Sequence, residues 1–394
     1  MHTIGFPHHD ILIPNIIRAE NASLFDETGK RYVDLESGVW CTPLGHSNPD
    51  VLRVIREQAA TLMHVGYCYS TPVVEQAARR ILSILEGGEG RCVFLCSGSE
   101  AIEYGLRTAL MVAPRPKILA LADSYFGAYG VAKGQQQDVW TSFDWTGCET
   151  CPHQAPCDHG CEQWERIPFH EIGVFLFEPG SSSGLVRFPP RKLIDALAER
   201  IHDEGGLLMA NEVTTGIGRT GTWFGYQHYG FVPDITALGK GLGNGYPVSV
   251  SVLSEHVINA LGEQPVMYAQ SHQNDALGAA VALQVIDSIE ENLLIERCKD
   301  ISEVLLDGLN SLCQQFQVIH EVRGRGLMAA VEFAHDADPT LAKSLHGQFV
   351  EKGYILTHRP GSNVLRLDPC LTIDRVDIDG FLKTFADLLH AKGY

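Results

Sequence analysis

The sequence predicts an α/β fold, with a large, doubly wound, mostly parallel sheet domain and a smaller α+β domain after it. Three observations predict this fold. Short continuous apolar runs, typical of strands buried on both faces, recur through the middle of the chain. A helical pattern separates two of these runs, as expected for a crossover between parallel strands. From residue 286 onward, the pattern changes to longer helices and alternating strands.

The predicted elements follow in chain order. Residues 24–35 (LFDETGKRYVDL) predict two strands joined by a turn at Thr28–Gly29. Residues 189–206 begin with two prolines and end in glycine, which predicts the crossover helix. We predict an N-terminal segment (1–44) that packs with the small domain, a large domain (45–285) and a C-terminal small domain (286–394). The buried strands are predicted at RCVFLC (91–96), KILALA (117–122), IGVFLF (172–177), GGLLMA (205–210), DITAL (234–238) and VSVSVL (248–253).

The composition excludes several classes of function. The 394 residues carry a formal net charge of −18, so the clustered Lys and Arg that bind nucleic acid are not expected. No apolar run approaches the roughly 18 residues of a membrane helix. The opening residues MHTIGFPHHD lack the basic and apolar stretches of a secretory signal. Most of the 11 cysteines lie singly in apolar segments, which indicates reduced thiols and a cytoplasmic location.

Polar segments follow several predicted strands, at the sheet edge where open α/β sheets bind ligands. SGSEA (97–101) lies between a strand and a helix and presents N–H groups to an anion, or is simply a serine cap. Lys240, between two glycines in ALGKGLGNGYP, is either a desolvated lysine suited to a Schiff base or an ordinary loop lysine. ANEVTTGIGRTG (210–221) also follows a buried strand. Tyr125 either covers a flat ring or packs in the interior.

Together these segments resemble the class III aminotransferases, which include ornithine and 4-aminobutyrate aminotransferases. The resemblance covers nearly the whole chain. It implies fold type I, pyridoxal 5′-phosphate as cofactor, and a homodimer with shared active sites. It also implies a small-molecule amine donor and a 2-oxo acid as substrates. The segments that carry it are LFDETGKRYVDLESGVW, SGSEAIE, NEVTTGIGRTG, ALGKGLGNGYP, SHQNDALGAA, VRGRGLM and VLRLDPCLTI.

The resemblance implies roles for residues around the cofactor. Lys240 would form the Schiff base and then move a proton at the substrate Cα. Gly98 and Ser99 would bind the phosphate, together with Ser271 from the other subunit. The remaining cofactor contacts would be Tyr125 and Val213 on the two ring faces, Asn211 at the pyridine nitrogen and Thr214 near the phenolic oxygen.

Two further residues are candidates for substrate binding. Arg366, in VLRLDP, matches the family's carboxylate-binding arginine, a task suited to a bidentate guanidinium; a surface or interface arginine is the alternative. Trp40 matches a residue that lines the substrate pocket, although an aromatic in that loop can also be packing. Residues 178–184 (EPGSSSG) lack the glutamate that pairs with the arginine in ornithine-type members. We therefore expect Arg366 to be free.

The largest departure from the family is Asn211, where aspartate normally keeps the pyridine nitrogen protonated. Glu212 follows it, but its side chain is expected to point elsewhere. Thr214 stands where glutamine is frequent, and Phe126 where histidine or tryptophan is frequent. We predict an aminotransferase. A racemase, epimerase or aminomutase is the alternative if Asn211 leaves the nitrogen unprotonated, and a catalytically degenerate cofactor-binding protein is a second alternative.

A cysteine-rich insertion occupies residues 148–161 (CETCPHQAPCDHGC). Cys148, Cys151, Cys157 and Cys161 follow the spacing C-x2-C-x5-C-x3-C, with His153 and His159 among them. Four thiols so close in sequence suit a structural Zn²⁺ or iron–sulfur site. The alternative is a set of free thiols, or disulfides formed on oxidation.

Overall fold

The structure, a computed structural model, describes residues 2, 4–5, 11–66, 68–133, 138–151, 157 and 160–394. Its described strands form three sheets, and we number the strands in chain order. The N-terminal sheet contains β1 (Ile16–Glu20), β2 (Ser23–Asp26), β3 (Arg31–Asp34) and β13 (Tyr354–Ile355). The central sheet contains β4 (Gly90–Leu95), β5 (Lys117–Leu121), β6 (Trp140–Phe143), β7 (Ile172–Phe177), β8 (Leu207–Asn211), β9 (Ile235–Leu238) and β10 (Ser249–Ser254). The C-terminal sheet contains β11 (Ile319–Arg325), β12 (Met328–Phe333), β14 (Thr357–His358) and β15 (Val364–Leu367).

The helices begin where the sequence supplies helix-starting residues. Two of them have proline in the first turn, and a third follows a capping box formed by Ser97 and Glu100. Within the described residues, none of the helices has the length and apolar character needed to cross a bilayer. The helices are α1 (Ser37–Trp40), α2 (Pro49–Thr61), α3 (Pro72–Ile84), α4 (Gly98–Val112), α5 (Gly130–Lys133), α6 (Glu162–Glu165), α7 (Arg191–Asp203), α8 (Glu255–Leu261), α9 (Ala276–Glu291), α10 (Leu294–Gln315), α11 (Leu341–Glu351) and α12 (Arg375–Ala391).

The central sheet confirms the predicted α/β fold. Its strand order is β4-β10-β9-β8-β7-β5-β6, and β10 is antiparallel to both of its neighbours. The other pairs are parallel. Helix α7 is the predicted crossover between β7 and β8, and its apolar face is buried. Strand β6 was not predicted: it lies at the sheet edge, and its sequence WTSF is half polar.

This topology brings one end of five strands together. Because β10 is antiparallel to β4 and to β9, these two strands run in the same direction as β5, β7 and β8. Their carboxyl ends therefore share one edge of the sheet. The segments that follow them begin at Cys96, Ala122, Glu178, Glu212 and Gly239. These are the polar segments singled out in the sequence.

The two smaller sheets flank this domain. Strand β3 of the predicted N-terminal hairpin pairs in parallel with β13, so the N-terminal sheet includes a strand from the C-terminal part of the chain. The C-terminal sheet packs with α10, α11 and α12 around a core that contains Phe333, Phe349, Phe381 and Phe385. The exact domain boundaries stay a prediction.

Candidate active site

A cavity of about 170 Å³ lies at the shared edge of the central sheet. It brings together seven of the residues predicted to bind the cofactor: Gly98, Ser99, Tyr125, Asn211, Val213, Thr214 and Lys240. It is also lined by Ser97, Ile102, Phe126, Gly127 and Ser182. Residues that lie far apart in the sequence therefore meet because each follows a strand of the same sheet.

Lys240 begins a short 3₁₀ turn directly after β9. Its φ is +44°, in the left-handed region that favours glycine, and such backbone is often found at functional sites. Its Nζ donates a hydrogen bond to Thr214 Oγ1 at 2.9 Å and lies 4.2 Å from the ring centroid of Trp40. Burial, followed by the positive charge of Arg366, lowers the pKa of Lys240 to about 8. The amine is therefore partly neutral near physiological pH, as a nucleophile or base requires.

The N-terminus of α4 provides a cradle for an anion. Ser97 caps the helix through its hydroxyl, so the capping alternative is correct for this residue. The N–H groups of Gly98 and Ser99, at the first two helical positions, have no acceptor within the helix. A Cβ on Gly98 would lie 2.5 Å from Val213 Cγ1, so only glycine allows this close approach. The cap and the anion cradle therefore coexist.

The amide of Asn211 is held in one orientation. Its Nδ2 donates to the carbonyl oxygen of Tyr125 at 3.0 Å and lies 3.5 Å from Glu178 Oε1. Its Oδ1 accepts from the backbone N–H of Val213 at 3.1 Å. A reversed amide would turn its oxygen toward two acceptors and its NH₂ toward a donor. The atom left with spare hydrogen-bonding capacity is therefore the oxygen.

Glu178 lies directly behind Asn211, at the end of β7. Its side chain is buried and accepts hydrogen bonds from Ser182 Oγ at 2.5 Å and from the backbone N–H of Tyr125 at 3.2 Å. Burial raises the pKa of this carboxyl to about 7, against the lowering effect of these hydrogen bonds and of Lys240. Glu212 points elsewhere, as predicted, because it accepts from the backbone N–H groups of Gly225 and Tyr226.

Arg366 is not free, and the expectation that it would be was wrong. Its Nε and Nη2 donate to the two carboxylate oxygens of Asp368, at 2.6 and 3.0 Å. Its Nη1 lies 3.4 Å from the carbonyl oxygen of Ser181, and its guanidinium carbon lies 3.9 Å from the Trp40 ring centroid. Arg366 and Asp368 are both fully buried. The indole of Trp40 thus contacts both Lys240 and Arg366, and its buried Nε1 has no hydrogen-bond partner among the described residues.

Some residues were missed, and one predicted residue lies apart. The sequence analysis missed Asp368. In an extended chain, side chains two residues apart point to the same side, so residues 366 and 368, at the end of β15 and just beyond it, could have been paired from the sequence. Glu178 and Ser182 were seen only as part of EPGSSSG, without a role. Ser271 lies exposed in a turn and is not among the residues that line the cavity of its own chain. That arrangement leaves its predicted role, in the other subunit's site, untested.

The structure gives no support for a metal at the cysteine-rich insertion. Three of its cysteines, Cys148, Cys157 and Cys161, pack against the buried cluster that contains Trp145 and Trp164. Among the described residues, the four thiols are not gathered as a group of three or more ligand atoms within 4.8 Å of one another. Burial, and then the neighbouring thiols, raises the pKa of Cys148. His153 and His159 lie outside the described residues.

The cavity suits a phosphorylated aldehyde. Such a ligand needs an amine with a lowered pKa, a helix N-terminus for its phosphate and walls for a flat ring. Lys240 supplies the amine, Gly98 and Ser99 the helix N-terminus, and Val213 with Tyr125 the walls. Pyridoxal phosphate fits these residues. The fold and the cavity together define a fold-type I, pyridoxal-phosphate-dependent enzyme.

The chain belongs to the class III aminotransferase family. The family profile, described as "Aminotransferase class-III", matches residues 6–389. A leucine/methionine racemase from Thermococcus litoralis is 29% identical over 392 residues, covering 92% of this chain and 87% of the relative. An acetylornithine aminotransferase from Methanopyrus kandleri is 27% identical over 389 residues, covering 96% of this chain and 95% of the relative.

A solved structure shows the same fold. It is taurine:2-oxoglutarate aminotransferase from Bifidobacterium kashiwanohense, in complex with PLP and glutamate. It matches with a TM-score of 0.86 and 20% sequence identity, and the match covers 95% of this chain and 92% of that chain. Membership of the family implies pyridoxal phosphate as the cofactor of this chain.

Proposed function

We propose that the protein is an aminotransferase that moves an amino group from an amino acid or ω-amine to a 2-oxo acid. The observation that carries this proposal is the Lys240 amine, which lies in one cavity with the α4 N-terminus and Asn211. A protein that only binds the cofactor would not need a lysine whose pKa is lowered to about 8. This argues against the catalytically degenerate alternative.

Several residues of the cavity would have separate roles in this reaction. When bound, pyridoxal phosphate supplies an electron sink that makes the substrate Cα–H acidic. Lys240 Nζ, the amine that would bond to the cofactor's aldehyde carbon, would be released when the substrate amine takes its place. It would then accept the proton from the substrate Cα and deliver it to that same aldehyde carbon. Thr214 Oγ1 orients that amine by accepting its hydrogen bond. Gly98 and Ser99 hold the phosphate, and Tyr125 and Val213 enclose the ring.

The orientation of Asn211 favours amino transfer over racemisation. Because its NH₂ faces Tyr125 and Glu178, the amide offers only its oxygen to the pyridine nitrogen. An oxygen acceptor pairs with a protonated nitrogen, not with a bare one. When ionised, the carboxyl group of Glu178, whose pKa is raised to about 7, would contribute through Asn211 the negative charge that the family's aspartate supplies directly. This network supports a protonated ring, which is the form that delocalises the carbanion.

Replacement of Glu178 by glutamine tests this charge. We expect the pKa of the bound cofactor's pyridine nitrogen to fall, and turnover to fall about tenfold for each pKa unit, because one unit corresponds to about 1.4 kcal/mol. The ¹⁵N chemical shift of the holoenzyme loaded with ring-labelled cofactor reports protonation directly. Adding Asn211→Asp to Glu178→Gln is expected to restore the protonated shift.

Glu212→Gln is the matched control. Glu212 is also buried and also has its pKa raised to about 7, but it faces the backbone of Gly225 and Tyr226. Its replacement should leave the nitrogen shift unchanged. A nitrogen that is already unprotonated in the wild-type holoenzyme would contradict the role of Glu178 and favour the racemase.

A racemase is the second candidate, because one relative at 29% identity bears that name. A single-turnover reaction with L- and D-amino acids and ω-amines separates the two functions. Conversion to the pyridoxamine form with release of a keto product supports the aminotransferase and names the donor class. Deuterium uptake at Cα with return to the starting spectrum, and with no keto product, supports a racemase or epimerase. No reaction with any amine would indicate a degenerate enzyme.

We also propose that the enzyme acts as a homodimer. Tyr125 is 52% exposed, and Ser271 lies at the surface away from its own cavity, so both are accessible to a second subunit. Ser271→Ala should then weaken phosphate binding in the partner's site. Light scattering gives the oligomeric state. Mixed dimers of Ser271→Ala and Lys240→Ala chains test whether the site is shared, because one of the two sites then carries both defects.

The pKa of Lys240 predicts a pH dependence for cofactor uptake. Because burial lowers this pKa to about 8, the neutral amine becomes the major form as the pH rises through about 8. The rate at which apoprotein takes up pyridoxal phosphate should therefore rise through that pH and then level off. Stopped-flow absorbance across a pH series measures it. A rate that keeps rising toward pH 10 would instead indicate an ordinary, solvated lysine.

A further inference from the structure

A second cluster of ligand-type side chains lies outside the cavity. His64 follows α2, and His272 and Asp275 lie in the turn before α9. His64 Nδ1 lies 3.0 Å from Asp275 Oδ1, and His272 Nδ1 lies 3.7 Å from the same oxygen. All three ligand atoms lie within 4.8 Å of one another. Within the described residues, no other group of three His, Cys, Asp or Glu side chains meets that distance.

The turn that carries two of these residues is anchored to the fold. Asn274 exchanges two hydrogen bonds with the backbone of Phe94 in β4, at 2.9 and 3.0 Å. Asp275 caps α9, because its Oδ2 accepts from the backbone N–H of Gly278 at 3.2 Å. Its other oxygen, Oδ1, is therefore the one left for His64 and His272. The backbone N–H of His272 donates a hydrogen bond to Gln270 Oε1 at 2.7 Å.

We propose that His64, His272 and Asp275 form a binding site for a divalent transition-metal ion of the Zn²⁺ or Co²⁺ type. A tetrahedral ion with bonds of about 2.0–2.1 Å to nitrogen and oxygen holds its ligand atoms about 3.4 Å apart. The two separations that involve Asp275, 3.0 and 3.7 Å, bracket that value, and the two imidazoles offer nitrogen atoms within 4.8 Å of each other. Two imidazole nitrogens and one carboxylate oxygen select zinc-like ions over Mg²⁺ or Ca²⁺.

Binding replaces a hydrogen bond by two metal–ligand bonds. The ion would take the position between His64 Nδ1 and Asp275 Oδ1, while the imidazole proton moves by way of solvent from Nδ1 to Nε2, so that a neutral imidazole binds the ion through Nδ1. In the single chain, the side chains of His64 and His272 are 39% and 58% exposed. The bond from Gly278 to the second carboxylate oxygen keeps Asp275 oriented. The ion would tie the loop after α2 to the segment next to Ser271.

Metal titration of the metal-free protein tests the site, with Zn²⁺ followed by calorimetry and Co²⁺ by its visible absorption. We expect about one equivalent per chain. His64→Ala, His272→Ala and Asp275→Asn should each weaken binding at least tenfold, in line with the loss of one of three ligands. Asparagine is chosen at 275 because it retains a helix cap while it removes the charge. Thermal unfolding of each variant without metal checks that the fold is intact.

Two controls make the result decisive. His202 forms a comparable pair with Asp234, at 2.9 Å, but the described residues supply no third ligand there, so His202→Ala should leave the titration unchanged. The double variant Cys148→Ser, Cys161→Ser should also bind the ion as the wild type does. Binding that survives His272→Ala but disappears in the cysteine variant would assign the ion to the cysteines and overturn the proposal. Absence of saturable binding to the wild-type protein would overturn it as well.

Discussion

Lys240→Ala is expected to lower turnover about 10⁴-fold, the upper range for loss of a positioned acid–base group. In the proposed function, this amine bonds to the cofactor and moves the substrate proton, and its pKa of about 8 suits both tasks. The neighbouring Thr214 hydroxyl only orients it, and Arg366 is occupied by Asp368. Neither residue offers a replacement base. Added small amines should restore part of the lost activity, since they supply the missing nitrogen.

A readout other than turnover accompanies this prediction. Borohydride reduction of the wild-type holoenzyme should fix the cofactor on Lys240, where mass spectrometry of peptides locates it. The Lys240→Ala protein should carry no such adduct. Lys299→Ala, at an exposed lysine outside the cavity lining, should behave as the wild type. If Lys240→Ala kept more than a hundredth of the wild-type turnover, the assignment of the amine would be wrong.

Six of the seven strands of the central sheet could be predicted because each contains a short, mainly apolar run. All six residues of IGVFLF, for example, are buried, and such a continuous apolar run is typical of a strand covered on both faces. Strand β6 (WTSF) carries no such run, because an edge strand needs burial on fewer sides. Its pairing with β5 depends on contacts that local sequence does not encode.

The cavity could be predicted for a topological reason. Polar residues that directly follow parallel strands must meet at one edge, so Lys240, Asn211 and Ser99 converge whatever their separation in sequence. Contacts between side chains are a different matter. The contact of Asn211 with Glu178 depends on the rotamers of two adjacent strand ends, and the contact of His64 with Asp275 joins residues 211 positions apart. Neither contact can be predicted from a local sequence pattern.

Asp368 is the clearest example of a contact that the sequence analysis did not predict. The motif VLRLDP matches the family around Arg366, and the resemblance implied a guanidinium available to substrate. The structure instead gives that guanidinium a buried, bidentate partner two residues away. A second buried arginine, Arg219, also interacts electrostatically with Asp368, and burial lowers its pKa. The Asp368 carboxylate therefore interacts with two buried positive charges.

Asp368→Asn is accordingly expected to lower the free energy of unfolding by about 3–5 kcal/mol, as for other buried ion pairs that lose one partner. Asparagine has nearly the same size as aspartate, so the loss of stability would come from the missing charge and not from a cavity. Asp377→Asn is the matched control. Asp377 also forms a bidentate pair, with Arg31 at 3.0 and 2.7 Å, but the Arg31 side chain is 47% exposed. Its replacement should cost about 1 kcal/mol or less.

The same variant decides whether Arg366 belongs to the substrate site. If Arg366 can reach a substrate carboxylate, Asp368→Asn leaves a guanidinium that a 2-oxo acid or dicarboxylate can occupy. Such a ligand should then raise the melting temperature of Asp368→Asn more than that of the wild type, because binding to the folded state stabilises it. The Trp40 indole N–H, which is buried and has no acceptor in the part of the chain that the structure describes, is the nearby donor that the same carboxylate could use. Equal shifts in both proteins would make the Arg366–Asp368 pair a structural element, and substrate recognition would then have to lie elsewhere in the cavity.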